Sequence, residues 1–214
     1  ANPQEENPAR GYIVSANFQP VSPAGIEIPG YYNLADRGQQ LNRQLSDPGV
    51  KWNLKNSQAL QLGTRTDYAQ RVLKPLLPVL REVVSDPAER QLVEQLAQWQ
   101  GDYPLDSTAA TLFSQFLFSL ADAAMHDELG DAFFDTLLTT RVIDDALPRL
   151  AASPDSPWWD NRNTAQKETR TDTVKVAWQT SIAQLKATLG DDPAQWRWGK
   201  AHTLTHDHPL GRQK

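Results

Sequence analysis

The stretch TLFSQFLFSLADAA, residues 111–124, constrains the fold more than any other part of this chain. From Ala109 through Leu120 it is apolar nearly all round, so as a helix it has no face to give to water and must be surrounded by other elements. It also falls short of the roughly 20 apolar residues needed to cross a bilayer, and no other run comes closer. The stretch therefore predicts a central, buried helix, started by Asp106 or Ser107, within a body of several helices. An integral membrane protein is not expected.

The surrounding sequence supplies amphipathic partners for such a helix. In LADRGQQLNRQLSD, Leu34, Leu41 and Leu45 lie at helical spacing and Asp47-Pro48-Gly49 closes the segment. Asn56 or Ser57 suits the cap of a brief turn. Thr66 or Asp67 leads into YAQRVLKPLLPVLREVV, where Val72, Leu73, Leu76, Leu77, Leu80, Val83 and Val84 recur in steps of three and four, with kinks predicted at Pro75 and Pro78. Ser85-Asp86-Pro87 reads as a cap and first turn for a helix that turns Leu92, Leu96 and Trp99 inward. A further amphipathic run is predicted to break near Pro148 and Pro154, leaving Trp158-Trp159 in a loop. Residues 169–189 form the clearest long helix, with Val174, Val176, Ala177, Ile182, Leu185 and Leu189 apolar and Gly190 placed to end it; Asp191-Asp192-Pro193 starts a last turn. Fifteen Pro against eleven Gly suit short, stiff connections.

The two ends read differently. GYIVSANFQP, residues 11–20, is strand-like, with Tyr12, Val14 and Ala16 on one face and Ile13, Ser15 and Asn17 on the other; the Pro- and Gly-rich run to Asn33 is irregular. Near the other end, Thr203 and Thr205 alternate with Leu204 and His206 until Pro209. The predicted class is mainly α: a helical domain over residues 34–195, flanked by residues 1–33 and 196–214 carrying short strands.

Charge and composition narrow the chemistry. The net charge of −5 is spread over interleaved acids and bases, with no basic stripe for a phosphate backbone, so nucleic acid is not an expected partner. With no cysteine, disulfides, thiolate metal sites and a cysteine nucleophile are excluded. There is no glycine-rich phosphate loop, no G-x-S-x-G elbow and no serine with an evident base. His202, His206 and His208 share parity on a strand beside Asp207, which would suit zinc, but the spacing is not a recognised metal motif and Pro209 bends the strand, so hydrogen-bonding histidines at a sheet edge are the alternative and no metal ligand is assigned. The pairs Asp144-Asp145 and Asp191-Asp192 diverge on a helix and read as caps and solvated faces rather than a catalytic dyad. Asn17, at the end of its strand and before Pro20, has two readings: it starts a turn, or its side-chain amide donates to a negative oxygen developing on a substrate.

Five stretches in order, GYIVSANFQP through ADRGQQLNRQL, then DSTAATLF, SPWWDNRNTAQKETR and WRWGKAHTLTHDHPLG, make essentially the whole chain resemble the C-terminal half of the β-subunit of the penicillin acylase family. These are N-terminal-nucleophile amidohydrolases that include penicillin, cephalosporin and acyl-homoserine-lactone acylases. The resemblance implies that the end strands belong to the sheet of a larger αββα fold, and that Asn17 matches the asparagine whose amide donates to the oxyanion hole. Arg37 matches an arginine that organises the polar network near the active site. The chain departs from the family at Phe18, where a second Asn is usual, and Glu27 is the one carboxylate near the segment where some members hold calcium; no cofactor is expected within these residues, calcium being an expectation for the parent enzyme.

The same resemblance implies a nucleophile elsewhere. In the family the N-terminal serine of the β-subunit attacks the amide carbonyl with its own α-amine as base; Ala1 has no hydroxyl, and the opening ANPQEENPARGY carries neither an initiator Met nor a signal peptide and reads as the start of a cut piece. The implied partners are the α-subunit and the N-terminal part of the β-subunit, the implied substrate is a small acyl amide, the implied compartment is the periplasm, and the 214 residues alone are expected to be inactive. Two other classes remain as alternatives: a helical binding module gripping a partner through Trp158-Trp159 or residues 111–124, and a zinc hydrolase on the three histidines.

Overall fold

The computed structural model describes residues 4–22 and 25–205. Eight α-helices follow one another among them: α1 (Asp36–Leu45), α2 (Leu54–Gln61), α3 (Tyr68–Val83), α4 (Pro87–Gln98), α5 (Thr108–Leu138), α6 (Val142–Ala152), α7 (Arg170–Leu189) and the single turn α8 (Trp198–Ala201), with 3-10 turns at Pro157–Trp159 and Pro193–Gln195. The mainly helical class predicted from periodicity is what the molecule adopts.

Helix starts follow their caps. Asp86 accepts from the backbone N–H groups of Ala88 and Glu89, both at 2.9 Å, with Pro87 in the first turn; Ser107 accepts from Ala110 at 3.1 Å; and Thr169 with Asp172 makes a capping box for α7. One cap differs from the sequence reading. Asn53, not Asn56, is the N-cap of α2, and Asn56 is its reciprocal partner three residues on, so the pair Asn-x-x-Asn does the work usually given to Ser/Thr and Glu.

The all-round apolar helix is indeed central. α5 lies most extensively against α7 and also meets α4, α6 and α8, while α3 packs on α4, α6 and α7. Phe113, Phe116 and Leu120 of α5, Leu73, Leu76 and Leu80 of α3, and Val174, Trp178 and Ile182 of α7 share one core. Val176, expected inside, is exposed because Val174, Ala177 and Trp178 already take the buried face of α7. Each deeply placed indole has a partner for its N–H: Trp99 donates to Asp102 O, Trp159 to Ser153 O, Trp178 to the Glu89 carboxylate and Trp196 to Gly190 O, all at 2.8 Å. An aromatic side chain can then be buried without an orphaned donor.

Three prolines stand within helices rather than ending them. α3 continues past Pro75 and Pro78 and α6 past Pro148, whereas the backbone of α5 departs from helical geometry at Gly130, with φ 68° and ψ 166°. Within the run that begins at Asp131, the break therefore falls at residues 139–141, not at Pro148, which is buried inside α6.

The strands expected at the ends are not formed among the described residues by themselves. No β-strand occurs among the described residues, neither at 11–17 nor at 203–205. Residues 11–17 still keep the alternation of a strand, Tyr12, Val14 and Ala16 being turned inward and Ile13, Ser15 and Asn17 outward, but a strand exists only as a ladder and no second stretch among the described residues forms one with it. His202 sits at the end of α8 with its ring edge-on to Trp198, centroids 4.6 Å apart; His206, Asp207, His208 and Pro209 lie outside the described residues, as does Ala1.

Candidate functional site

Asn17 ends its extended segment in the left-handed region, φ 60°, which asparagine adopts more readily than other residues with a side chain. Its carbonyl accepts from the backbone N–H of Asn33 at 2.8 Å, which closes the irregular loop over residues 18–32 and brings the end of that loop to the start of α1. The two candidate residues then meet: Arg37 Nη2 donates to Asn17 Oδ1 at 2.5 Å. Separated by twenty positions in sequence, they form one polar unit on the surface.

The departure from the family at Phe18 has a local explanation. Gly38 is buried, and a Cβ there would lie 2.4 Å from a carbon of the Phe18 ring, so the ring rests on the bare backbone of the first turn of α1. Phe18 and Gly38 thus fix the height of Asn17 against Arg37. The pairing of a large residue after Asn17 with a glycine after Arg37 was visible in the sequence, but only the loop closure shows that they touch.

α1 itself is seated by charge. Asp36 accepts from Arg71 Nη2 at 2.8 Å and Arg43 makes a two-pronged bond to Asp67, so acid and base seven apart on α1 meet base and acid four apart at the start of α3 in antiparallel order. The Arg43 guanidinium holds the Asp67 carboxyl below the usual carboxylate range. These two pairs escaped the sequence reading, although seven-residue spacing of opposite charges was their signal. Asp67 was read there as a cap; it lies at the cap position of α3 but gives its side chain to Arg43.

Behind Arg37 a cleft of about 300 Å³ opens between the N-terminal segment, α1, α3 and α6, with Ala16, Asn33, Arg37, Tyr68, Arg141 and Asp144 on its walls. Burial, and then the charge of Asp144, push the Tyr68 phenol well above its ordinary range, so it is a neutral hydroxyl at any working pH. Asp144, read as a solvated cap, is thus a wall of the cleft and pairs with Arg141 at 3.4 Å. On the other side of Asn17 is a second hollow of about 370 Å³, walled by Val14, Ser15, Phe18, Pro20, Tyr31 and Tyr32. Tyr31 accepts from the Arg141 backbone N–H at 3.2 Å, tying this loop to the start of α6.

Chemically, the unit offers one oriented donor. With Oδ1 engaged by a guanidinium, the Asn17 amide keeps its Nδ2 donor, and that nitrogen donates to no group among the described residues. A cation on the carbonyl end of an amide also strengthens the N–H as a donor. What the unit lacks is an attacking group or a base in contact with it. Glu27 accepts from Gln19 Nε2 at 2.9 Å, and among the described residues no group of three or more His, Cys, Asp or Glu side chains is placed to hold a metal ion.

Comparison with known proteins decides the relationship. The sequence pattern of the family described as penicillin amidase matches residues 1–214. The chain belongs to the penicillin amidase family. It is 25% identical over 232 residues to the acyl-homoserine lactone acylase QuiP of Pseudomonas syringae pv. tomato and 26% identical over 230 residues to the protein of the same name from Pseudomonas fluorescens, with 99% of this chain matched in both cases. A QuiP from Pseudomonas aeruginosa is 24% identical with 94% of this chain matched. The chain spans about 28% of the length of the first two of these relatives.

Proposed function

We propose that these residues are the C-terminal part of the β-subunit of an N-terminal-nucleophile amidohydrolase that cleaves a linear amide, with an N-acyl-homoserine lactone as the favoured substrate and the acyl side chain of a β-lactam as the second. Asn17 Nδ2 is the donor to the tetrahedral oxyanion, and Arg37 is its positioning residue. The observation that carries this is the Arg37–Asn17 hydrogen bond, which engages the carbonyl end of the amide and leaves Nδ2 as a donor. The attacking serine, its α-amine and most of the acyl pocket belong to the remainder of the enzyme. In that assembly the extended residues 11–17 and 203–205 would add strands to the central sheet, the helices form one wall of the cleft, and the enzyme works in the periplasm. The names of the relatives favour the lactone.

The test is kinetic, on the complete enzyme that contains this chain. Asn17→Ala should lower kcat by about 10²–10³ with KM changed little, since the donor acts on charge present only in the transition state. Arg37→Gln should lower kcat by less, and Arg37→Lys should restore part of it without moving KM. Rates within threefold of the parent for Asn17→Ala would remove the oxyanion role.

A further inference from the structure

A third hollow, on a different face of α6 from Asp144, has no part in that chemistry. It measures about 430 Å³, within the range of small-molecule sites, and lies between α6 and the two halves of α5 that Gly130 sets apart. Leu129 stands before the break and Leu137 after it; Val142, Ala146 and Leu150, at steps of four along α6, form the opposite wall; Trp158, part-exposed, closes one end. The surface is overwhelmingly apolar, and its only charged side chain is Arg149.

Arg149 follows Val142 by seven residues, so it falls in register with this apolar stripe at its rim. No carboxylate pairs with it among the described residues, and unlike Arg37, Arg65, Arg90 and Arg170, which also lack an acid, its guanidinium donates to no uncharged oxygen there. Arginine in a last helical turn suits the helix dipole, but the dipole alone does not explain why this unpaired guanidinium borders a hollow that contains no acid. Of the nearby hydroxyls, Ser153 donates to Arg149 O, whereas Ser156 accepts from the backbone N–H of Trp158 and keeps its O–H to donate. The hollow thus has an apolar body and one cationic end.

We propose that this hollow binds a medium-chain fatty-acid carboxylate, its alkyl chain between Leu129, Leu137 and the α6 stripe and its head on Arg149. The proposal rests on the hollow alone; the hydrolysis proposed above would be one source of such an acid, and binding is measured without any turnover.

Calorimetric titration of the complete enzyme that contains this chain with hexanoate, octanoate and decanoate, each below the concentration at which it forms micelles, tests it, the site being read as the saturable heat that Ala146→Phe removes. One saturable site is expected, tightening about three- to fourfold per methylene, with decanoate bound three- to tenfold more tightly than decanamide. Arg149→Gln should erase the preference for decanoate while leaving decanamide unchanged. Ala146→Phe should block both; should circular dichroism show that variant misfolded, Val142→Glu, at an exposed position, should selectively repel the acid. Trp158→Phe should retain the binding heat. Absence of saturable binding, equal affinity for acid and amide in the parent chain, or a preference that survives Arg149→Gln would each overturn the proposal.

Discussion

Asn17 gathers several residue-scale constraints: a left-handed backbone, a carbonyl tied to Asn33, a side-chain oxygen held by Arg37, and a neighbouring ring seated on Gly38. A methyl at Gly38 would meet that ring rather than backbone, and the part-exposed ring can turn away. Gly38→Ala should therefore move the melting temperature by only a few degrees while lowering kcat of the complete enzyme toward the Asn17→Ala value. Gly101 gives the contrast. Its φ is 84° and an added Cβ would lie 2.1 Å from Thr66 O, whose own N–H donates to Gly101 O at 3.0 Å. Backbone cannot step aside as a ring can, so Gly101→Ala should cost about 2–4 kcal/mol in urea unfolding.

Among the elements, α5 carries a brace across its break. His126 Nδ1 bonds Asp122 at 2.8 Å and Nε2 bonds Asp131 at 2.9 Å, one acid on each side of Gly130, with the imidazole stacked 4.5 Å from Phe134. The bonds to Asp122 and then Asp131 raise the imidazole above its ordinary range. A raised folded value means that the brace contributes fully below about pH 6.5 and fades as pH rises through the folded value. Melting temperatures measured from pH 5.5 to 9 should fall more steeply for the parent than for His126→Gln; parallel profiles would discount the brace. The effect is small because the ring is part-exposed. α1 should respond to salt instead, since its seating on α3 depends on the Asp36–Arg71 and Arg43–Asp67 pairs. Hydrogen exchange in α1 should quicken between 0.05 and about 1 M salt, where the screening length shrinks to about 3 Å, while α5 stays protected. The helices were legible because each has a cap and a stripe that need only neighbours in sequence: Asp86, Ser107 and Thr169 stand where they were expected. The ladders expected at both ends were not, because Tyr12, Val14 and Ala16 state which face is buried but not what it is buried against. The contact between Asn17 and Arg37 depends on a loop closed by backbone groups, on which residue identities say little.

On the scale of the whole molecule, the helical body has its own core, while the Asn17–Arg37 unit offers a donor with no attacking group in contact with it among the described residues. Far-UV circular dichroism of the 214-residue chain should show a cooperative helical melt, yet N-acyl-homoserine lactone should not be hydrolysed above background until the remaining polypeptide is supplied. Turnover by the chain alone would overturn the proposed division of labour. No helix among the described residues is long and apolar enough to cross a membrane. The far end of the body is closed by late sequence: Trp198 N–H donates to Ser107 O at 3.0 Å, Gly199 N–H to Leu105 O at 2.8 Å, and the Trp198 ring meets Tyr103, itself edge-on to Trp99. During synthesis, then, the start of the central helix is made almost a hundred residues before the strap that covers it. At about 5–20 residues per second the nascent chain waits several seconds with Trp99 and Tyr103 uncovered, an interval in which a chaperone, or a neighbouring nascent chain, has its best opportunity to bind.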